Sequence, residues 1–555
     1  MKTIFRIVFA LCLCHSAARA NVVLRWNQYI NETIRRDSGS ANPGYSTRAM
    51  AMMNGAIYDC FQAIQHTHQP LRVNVAAAST ASTTSAASEA AYRILTALYP
   101  AESQWLFWAY GYNMNQVPNG PAKDAGQALG AEVATQYLAW RTNDGSEVNV
   151  PYTPGNGPGE WRPDPLFQPV QQAWGPDWGN VLPFAIQNTA QFPVAPPPTL
   201  TSAAYTTAWN EVMQYGAKES TLRTAEQTEI GLFWAYDRSG LGPPPVLYNF
   251  VVQQIATQKN NTEAQNARLF AMASVAMADA CTVAWKVKFN YKFWRPTSAI
   301  READTDGNPA TTAMPAWEPL GAPGGGLFPD FTPPFPAYVS GHATMGDATF
   351  GALKAFYGTD AVSFSLTSAE LPGVTRSFTT LSQAAKENSD SRIWLGVHWR
   401  FDQDAGQALG AAVAAYISSH FFTPVVPETF ANFSATYTLS GQPDADTDGD
   451  GCKDFGEYAF GTNPRVRDLP PAGRMEMIGA VSCVAIHYTR RPTRTAAGLT
   501  LRAEASAALQ SWSTTGVTDE LDPAATQTAD VEYRRAWIPV PATGRKFLRL
   551  FSQSP

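Results

Sequence analysis

Apolar residues return at three- and four-residue steps over 22–36, 48–65 and 86–98, the period of one face of an α-helix. The same period predicts helices over 101–114, 122–141, 203–215 and 224–236, then a long one from 261 to about 288. Two more, rich in Ala and Gly, are expected over 340–356 and 398–418. Residues 39–45 read as a loop, and 75–85 as an Ala/Ser/Thr connector of low complexity. The pattern breaks over 149–198, where Pro and Gly are interleaved with Trp161, Phe167, Trp174, Trp178 and Phe184. Prolines at that density forbid long helices, yet the aromatics are too many for a solvated linker, so this stretch is expected to lie as an ordered wrap over the helical core. Residues 289–339, with Gly324-Gly325-Gly326 and Pro333-Pro334-Phe335-Pro336, read as the rim of a pocket.

Beyond His420 the period changes. Residues 475–553 alternate apolar and polar positions, as in Cys483-Val-Ala-Ile-His-Tyr and Phe547-Leu-Arg-Leu-Phe, and predict a small β-sandwich. The fold class is therefore mainly α: a helical bundle followed by a small C-terminal β-sandwich domain. A chain of 555 residues exceeds the length, roughly 250–300, at which one core stops growing. The expected divisions are 1–20, 21–425, 426–465 and 466–555.

The first of these reads as a secretory signal: Lys2 and Arg6, an apolar run over 7–14, and Ala18-Arg19-Ala20 before Asn21. Its cleavage after Ala20 would leave a secreted or periplasmic protein. No later segment is expected to span a membrane; the longest candidate, 405–417, is short and carries Gln407. Four cysteines remain after cleavage. Cys60 and Cys281, in apolar helical surroundings, are expected as buried free thiols, while the spacing of Cys452 and Cys483 leaves their pairing open. With 45% hydrophobic and 15% charged residues the chain can cover a large core. A formal net charge of −6 excludes a general nucleic-acid binder, which needs a Lys/Arg excess on one face.

Any basic patch must then be local, and one is written in three pieces: Lys288-x6-Arg295-Pro296, Ser340-Gly341-His342 and Ser391-Arg392-x5-His398-x3-Asp402. Ser340 is placed to cap a helix whose first amides, at Gly341 and His342, face whatever lies beyond the helix start, an anion-binding arrangement. Lys288, Arg295 and Arg392 add charge, and each guanidinium can satisfy two oxygens at once. His398 would offer a lone pair to the centre of the anion, with Asp402, on the same helical face, holding its other ring nitrogen. His342, across the anion, would act as general acid/base, kept partly protonated by the anion's charge. A two-histidine zinc site lacks a third ligand, and three cations would repel the metal.

These three pieces resemble the signature motifs of the vanadium-dependent haloperoxidase and type 2 phosphatidic acid phosphatase superfamily. Phe293-Trp-Arg-Pro, Pro336-Ala-Tyr-Val-Ser-Gly-His-Ala and Gly396-Val-His-Trp-Arg-Phe-Asp resemble its bacterial secreted haloperoxidase branch, as do Trp209-Asn-Glu-Val, Arg223-Thr-Ala-Glu-Gln-Thr and Phe233-Trp-Ala. The resemblance covers about 21–422 and departs from many relatives at Val339, where they have proline. It implies a haloperoxidase-like helical bundle around vanadate, bound through His398 and held by Lys288, Arg295, Ser340, Gly341 and Arg392. Hydrogen peroxide and halide would react there to hypohalous acid, with His342 assisting proton transfer and a small organic acceptor as a further partner. Trp285 and Phe335 match aromatic residues of the halide pocket in chloride-oxidising relatives.

Vanadate mimics a phosphoryl transition state, so the same residues also fit a secreted acid phosphatase with His398 as phosphoryl acceptor. A third reading is a non-catalytic secreted binding protein stabilised by calcium. The long aromatic framework favours oxidant chemistry. Calcium enters through Asp446-x-Asp448-x-Asp450-Gly451-x5-Glu457, which has the spacing of a twelve-residue calcium loop, with the Cys452 carbonyl at its seventh position. Such an ion would be structural, stiffening the joint to the tail. The sequence sets no oligomeric state.

Overall fold

A computed structural model describes residues 21–37, 42–75, 77–238, 240–325, 329–425, 429–450, 452–460, 462–467, 473–491, 499–507, 509, 511–525, 531–540 and 547–553. The leader over 1–20 and Gly451 of the acidic loop lie outside the described residues.

The chain opens with α1 (Val22–Arg36), α2 (Pro43–Gln65), α3 (Thr83–Leu98), α4 (Ser103–Met114) and α5 (Pro121–Trp140). After the wrap come α6 (Ala203–Tyr215), α7 (Ala225–Phe233), α8 (Pro244–Gln258), α9 (Glu263–Tyr291) and α10 (Pro296–Arg301). Then follow α11 (Gly341–Tyr357), α12 (Leu381–Trp394), α13 (Arg400–His420), α14 (Phe430–Tyr437) and α15 (Asp454–Phe460). A short hairpin of β1 (Phe364–Thr367) and β2 (Thr375–Phe378) precedes α12. The tail holds β3 (Gly473–Ile478), β4 (Val481–Arg490), β5 (Thr500–Ser506), β6 (Thr518–Leu521), β7 (Glu532–Pro539) and β8 (Phe547–Gln553). Its strands form an antiparallel sheet in the order β3-β4-β7-β6 and a separate β5-β8 pair. Helical bundle and small C-terminal sheets are thus both present.

The bundle is organised around α9. Thr262 caps it in a reciprocal box with Gln265, satisfying two otherwise orphaned N–H groups, and Lys292 ends it in a left-handed turn at φ 51°. This helix corrects the expectation that no segment is long and apolar enough to cross a membrane. It is both, but 94% of its apolar window is buried inside the fold, where α2, α11 and α13 pack against it. Such all-round hydrophobicity belongs to a central core helix.

The proline-rich stretch does lie as a wrap over this core. Trp161 and Trp178 are buried, and Asp279 of α9 accepts the backbone N–H groups of Phe184, Ala185 and Ile186 at 2.7, 2.8 and 3.0 Å. A carboxylate on the central helix therefore replaces the hydrogen bonds that a strand or helix would have given this segment. Cys60, Cys281, Cys452 and Cys483 are all buried thiols outside any disulfide, so the two tail-side cysteines are not joined.

Two glycines set the approach that matters most. A Cβ at Gly406 would stand 2.8 Å from the Ser340 carbonyl, and one at Gly410 would stand 2.2 Å from that of Thr344. Four residues apart on α13, they share one face and let that helix lie against the first turns of α11. The backbone completes the seam: the Ser340 N–H donates to the Asp402 carbonyl at 3.0 Å.

Candidate oxyanion site

The three sequence pieces meet where α9, α11, α12 and α13 converge. Lys288 lies in the last turn of α9 and is fully buried. Its ammonium donates to the Pro336 and Ala337 carbonyls at 2.7 and 3.0 Å, tying the rim loop to the helix. Arg295, immediately before α10, donates to the Phe335 carbonyl at 2.9 Å and to that of Val397 at 2.8 Å. Arg392 projects from α12 and pairs with Asp237 at 2.7 Å. Ser340 caps α11, its hydroxyl accepting the Ala343 N–H at 3.4 Å. Gly341 and His342 form the first turn, whose N–H groups have no partner within the helix.

His398 requires one correction. It does not sit within a helix: α13 starts at Arg400 with Trp399 as its cap, so His398 lies in the connection from α12. Asp402, in the first turn, still reaches it. The Asp402 carboxylate accepts from His398 Nδ1 at 2.8 Å and from the Trp399 N–H at 3.0 Å. On the other side of the ring, Nε2 is 2.9 Å from Arg295 Nη1. A guanidinium can only donate, so Nε2 carries the lone pair and Nδ1 the proton. The nitrogen that faces Arg295 is therefore the nucleophilic one. His342 has the opposite tautomer: Nε2 donates to the Ala235 carbonyl at 2.8 Å, leaving Nδ1 as acceptor when the ring is neutral.

Electrostatics reveal what the pocket is built for. Burial, then the Arg295 charge, holds the Lys288 ammonium well below its usual range, and burial lowers Arg295 to about 9. Burial followed by the Arg295, Lys288 and Arg392 charges depresses His398 strongly. Burial and Arg392 bring His342 down to about 3. Burial raises Asp402 to about 7 against its bond from Trp399 and the nearby cations. Three cations thus share one pocket with two carboxylates, Asp237 and Asp402, and taking each charge out of water costs several kcal/mol. Their donors are also incompletely used. Arg295 Nη2 and Arg392 Nε and Nη1 are buried without an acceptor among the described residues. An oxyanion with several charged oxygens answers both deficits, and vanadate has the acceptors and the charge to do so.

Trp285 and Phe335 join the same pocket, their rings 5.1 Å apart. Lys288 Nζ stands 5.7 Å from the first ring and 5.1 Å from the second. Asp237 was missed by sequence reasoning: it is 2.7 Å from Arg392 and 4.0 Å from His342, and fixes the guanidinium beside the imidazole. Its only sequence signal is its position just after Phe233-Trp234-Ala235. In the acidic loop the structure brings together Asp446, Asp448 and Asp450, with ligand atoms within 4.8 Å of one another. Glu457 lies buried on α15 outside that group, and Cys452 N–H donates to Asp450 at 2.7 Å.

Comparison with known proteins agrees with this geometry. Residues 268–425, which hold every side chain of the three motifs, match the family model described as VCPO second helical-bundle domain. Over these residues the chain is similar to the vanadium haloperoxidases. Over 314 residues the chain is 34% identical to vanadium chloroperoxidase of Curvularia inaequalis, an alignment of 47% of this chain and 50% of that one. The chain spans about half the length of this curated relative. Among solved structures, a bacterial vanadium-dependent iodoperoxidase superposes with a TM-score of 0.62 at 24% identity, over 72% of this chain and 97% of the other. A holo-type bacterial vanadium-dependent chloroperoxidase gives 0.53 at 16%, over 71% and 96%. At these identities the structural likeness establishes the haloperoxidase fold.

Proposed function

We propose that this protein is a vanadate-dependent haloperoxidase that oxidises halide with hydrogen peroxide to hypohalous acid, with vanadate held by His398. The observation that carries this reading is the set of buried guanidinium N–H groups without acceptors, on Arg295 and Arg392, in the pocket where Arg295 also meets the lone pair of His398 Nε2. Lys288, Arg295, Ser340, Gly341 and Arg392 would hold the oxygens, and His398 the metal. Bound vanadate supplies Lewis-acid chemistry that activates peroxide toward halide without a change of metal oxidation state. Asp402 keeps the His398 proton on Nδ1, so that Nε2 remains a donor of its lone pair. His342, neutral in the protein alone, can take a proton from peroxide at Nδ1 and return it to the departing oxygen. Asp237 keeps Arg392 in place while this happens. Trp285 and Phe335 form an apolar wall on which a weakly hydrated halide can rest.

Two further parts of the reading lie outside the pocket. The protein is exported after loss of residues 1–20, and the loop from Asp446 to Glu457 holds a structural calcium ion, supported by the three clustered carboxylates.

The decisive assay mixes the purified protein with vanadate, peroxide and each halide, beside a phosphomonoester without vanadate. Vanadate-dependent oxidation of iodide or bromide is expected, and His398→Ala should lower it about 100-fold or more while weakening vanadate binding. Ester hydrolysis without halide oxidation would replace this reading by the phosphatase one.

A further inference from the structure

The chain leaving α7 supplies two contacts of the oxyanion pocket from one short run. The Ala235 carbonyl accepts from His342 Nε2 at 2.8 Å, and two residues on the Asp237 carboxylate accepts from Arg392 Nη2 at 2.7 Å. The groups interleaved with these are held elsewhere. The Phe233 carbonyl accepts from the Ser368 hydroxyl at 2.7 Å, the Tyr236 hydroxyl accepts the Ala369 N–H at 2.8 Å, and Arg238 pairs with Glu370 at 2.8 Å. All three partners lie in the turn that joins β1 to β2. The Trp234 ring meets Phe378 of β2 at 6.1 Å, and its indole N–H donates to Glu387 of α12 at 3.0 Å. The hairpin therefore grips the segment at alternate residues, and the pocket uses the ones between.

Tyr236 is the pivot of this run. Its φ of 39° lies in the left-handed region, which a bulky residue with a Cβ seldom adopts, and its ring is buried. Such a conformation persists only where the surroundings over-determine it, and here Ser368, Ala369 and Glu370 do so. Because Tyr236 stands between Ala235 and Asp237, its relaxation to negative φ would turn the carbonyl and the carboxylate away from their two targets together. We infer that Tyr236 is a positioning residue, held left-handed by the hairpin so that Ala235 orients His342 while Asp237 orients Arg392. The inference rests on the haloperoxidase reading for the role of His342; for Arg392 it needs only that the pocket holds an oxyanion. Released from Ala235, the His342 ring can swing its Nδ1 away from the anion. Released from Asp237, Arg392 loses the fixed setting of Nε and Nη1, which meet no acceptor among the described residues.

Tyr236→Phe keeps the buried ring and removes only the oxygen that Ala369 binds. Calorimetric titration of the full chain with vanadate should show about tenfold weaker binding in this variant, and turnover of bromide at saturating vanadate should fall about tenfold with KM for bromide unchanged. Ser368→Ala combined with Glu370→Gln, on the hairpin, should do the same, and carries the test if Tyr236→Phe does not fold. A positioning residue acts through its targets. Tyr236→Phe should therefore add nothing to the vanadate defect of Asp237→Ala or to the turnover defect of His342→Ala. Full further losses in those backgrounds would mark a general loss of structure and overturn the proposal, as would unaltered vanadate affinity and turnover in both the Tyr236 and the hairpin variants. Weaker vanadate binding by Tyr236→Phe, in a protein whose original form oxidises no halide, would sink the haloperoxidase reading and uphold the positioning of Arg392.

Discussion

Replacing His342 by Gln removes a ring whose proton affinity the fold suppresses, and that makes its contribution readable in a pH titration. Burial and Arg392 lower the folded value to about 3, against an ordinary value of 6.5. The unfolded chain therefore takes up a proton at this residue before the folded one does as pH falls. Stability tied to this ring is intact above 6.5, drains away down through about 3, and changes no further below. Thermal unfolding of the vanadate-free protein should show a shallower loss across that window in His342→Gln than in the original. Parallel curves would mean that the imidazole titrates normally. Residue types and spacing made Lys288, Arg295, Ser340, Gly341, His342, Arg392, His398 and Asp402 legible without coordinates, because cations, a helix cap and two imidazoles have one shared use. Asp237 was not legible: a single carboxylate outside any motif acquires meaning only when Arg392 and His342 are seen beside it.

Between elements, the contact of α13 with α11 decides whether the second and third motifs share a pocket. A methyl group at Gly410 would need 2.2 Å to the Thr344 carbonyl, inside contact distance and against backbone that cannot rotate away. Gly410→Ala should cost about 1–3 kcal/mol in chemical denaturation and push the first turn of α11 off the arginines, weakening vanadate binding as well. Full stability with unaltered vanadate affinity would show that the helices can slide apart freely. Periodicity predicted most of the bundle to within a few residues, since buried faces must recur with the helical turn. It failed at α8, where Pro243-Pro244-Pro245 looks like a break yet supplies the first helical turn, in which proline lacks no needed hydrogen bond. It also drew His398 into α13, because sequence spacing cannot tell a residue just ahead of a cap from one behind it.

For the molecule as a whole, the bundle and the strand-rich tail are linked through the acidic loop and α15. If Asp446, Asp448 and Asp450 hold calcium, chelation by EGTA should lower the unfolding temperature of the tail while leaving that of the bundle in place, and Asp446→Asn should do the same without chelator. Identical melting with and without EGTA would leave the loop as a solvated acidic turn. The architecture also explains why a site drawn from residues far apart in sequence stays registered. Ser340 and Asp402 are joined through main-chain atoms alone. That tether is nearly invisible to the genetic code: apart from proline at 340, which has no N–H, whatever side chain a mutation installs at either position leaves the amide and the carbonyl in place. Variants at 340 and 402 should therefore lose chemistry without losing alignment, and a damaged descendant of this protein would keep the pocket's outline long after its reactivity had gone.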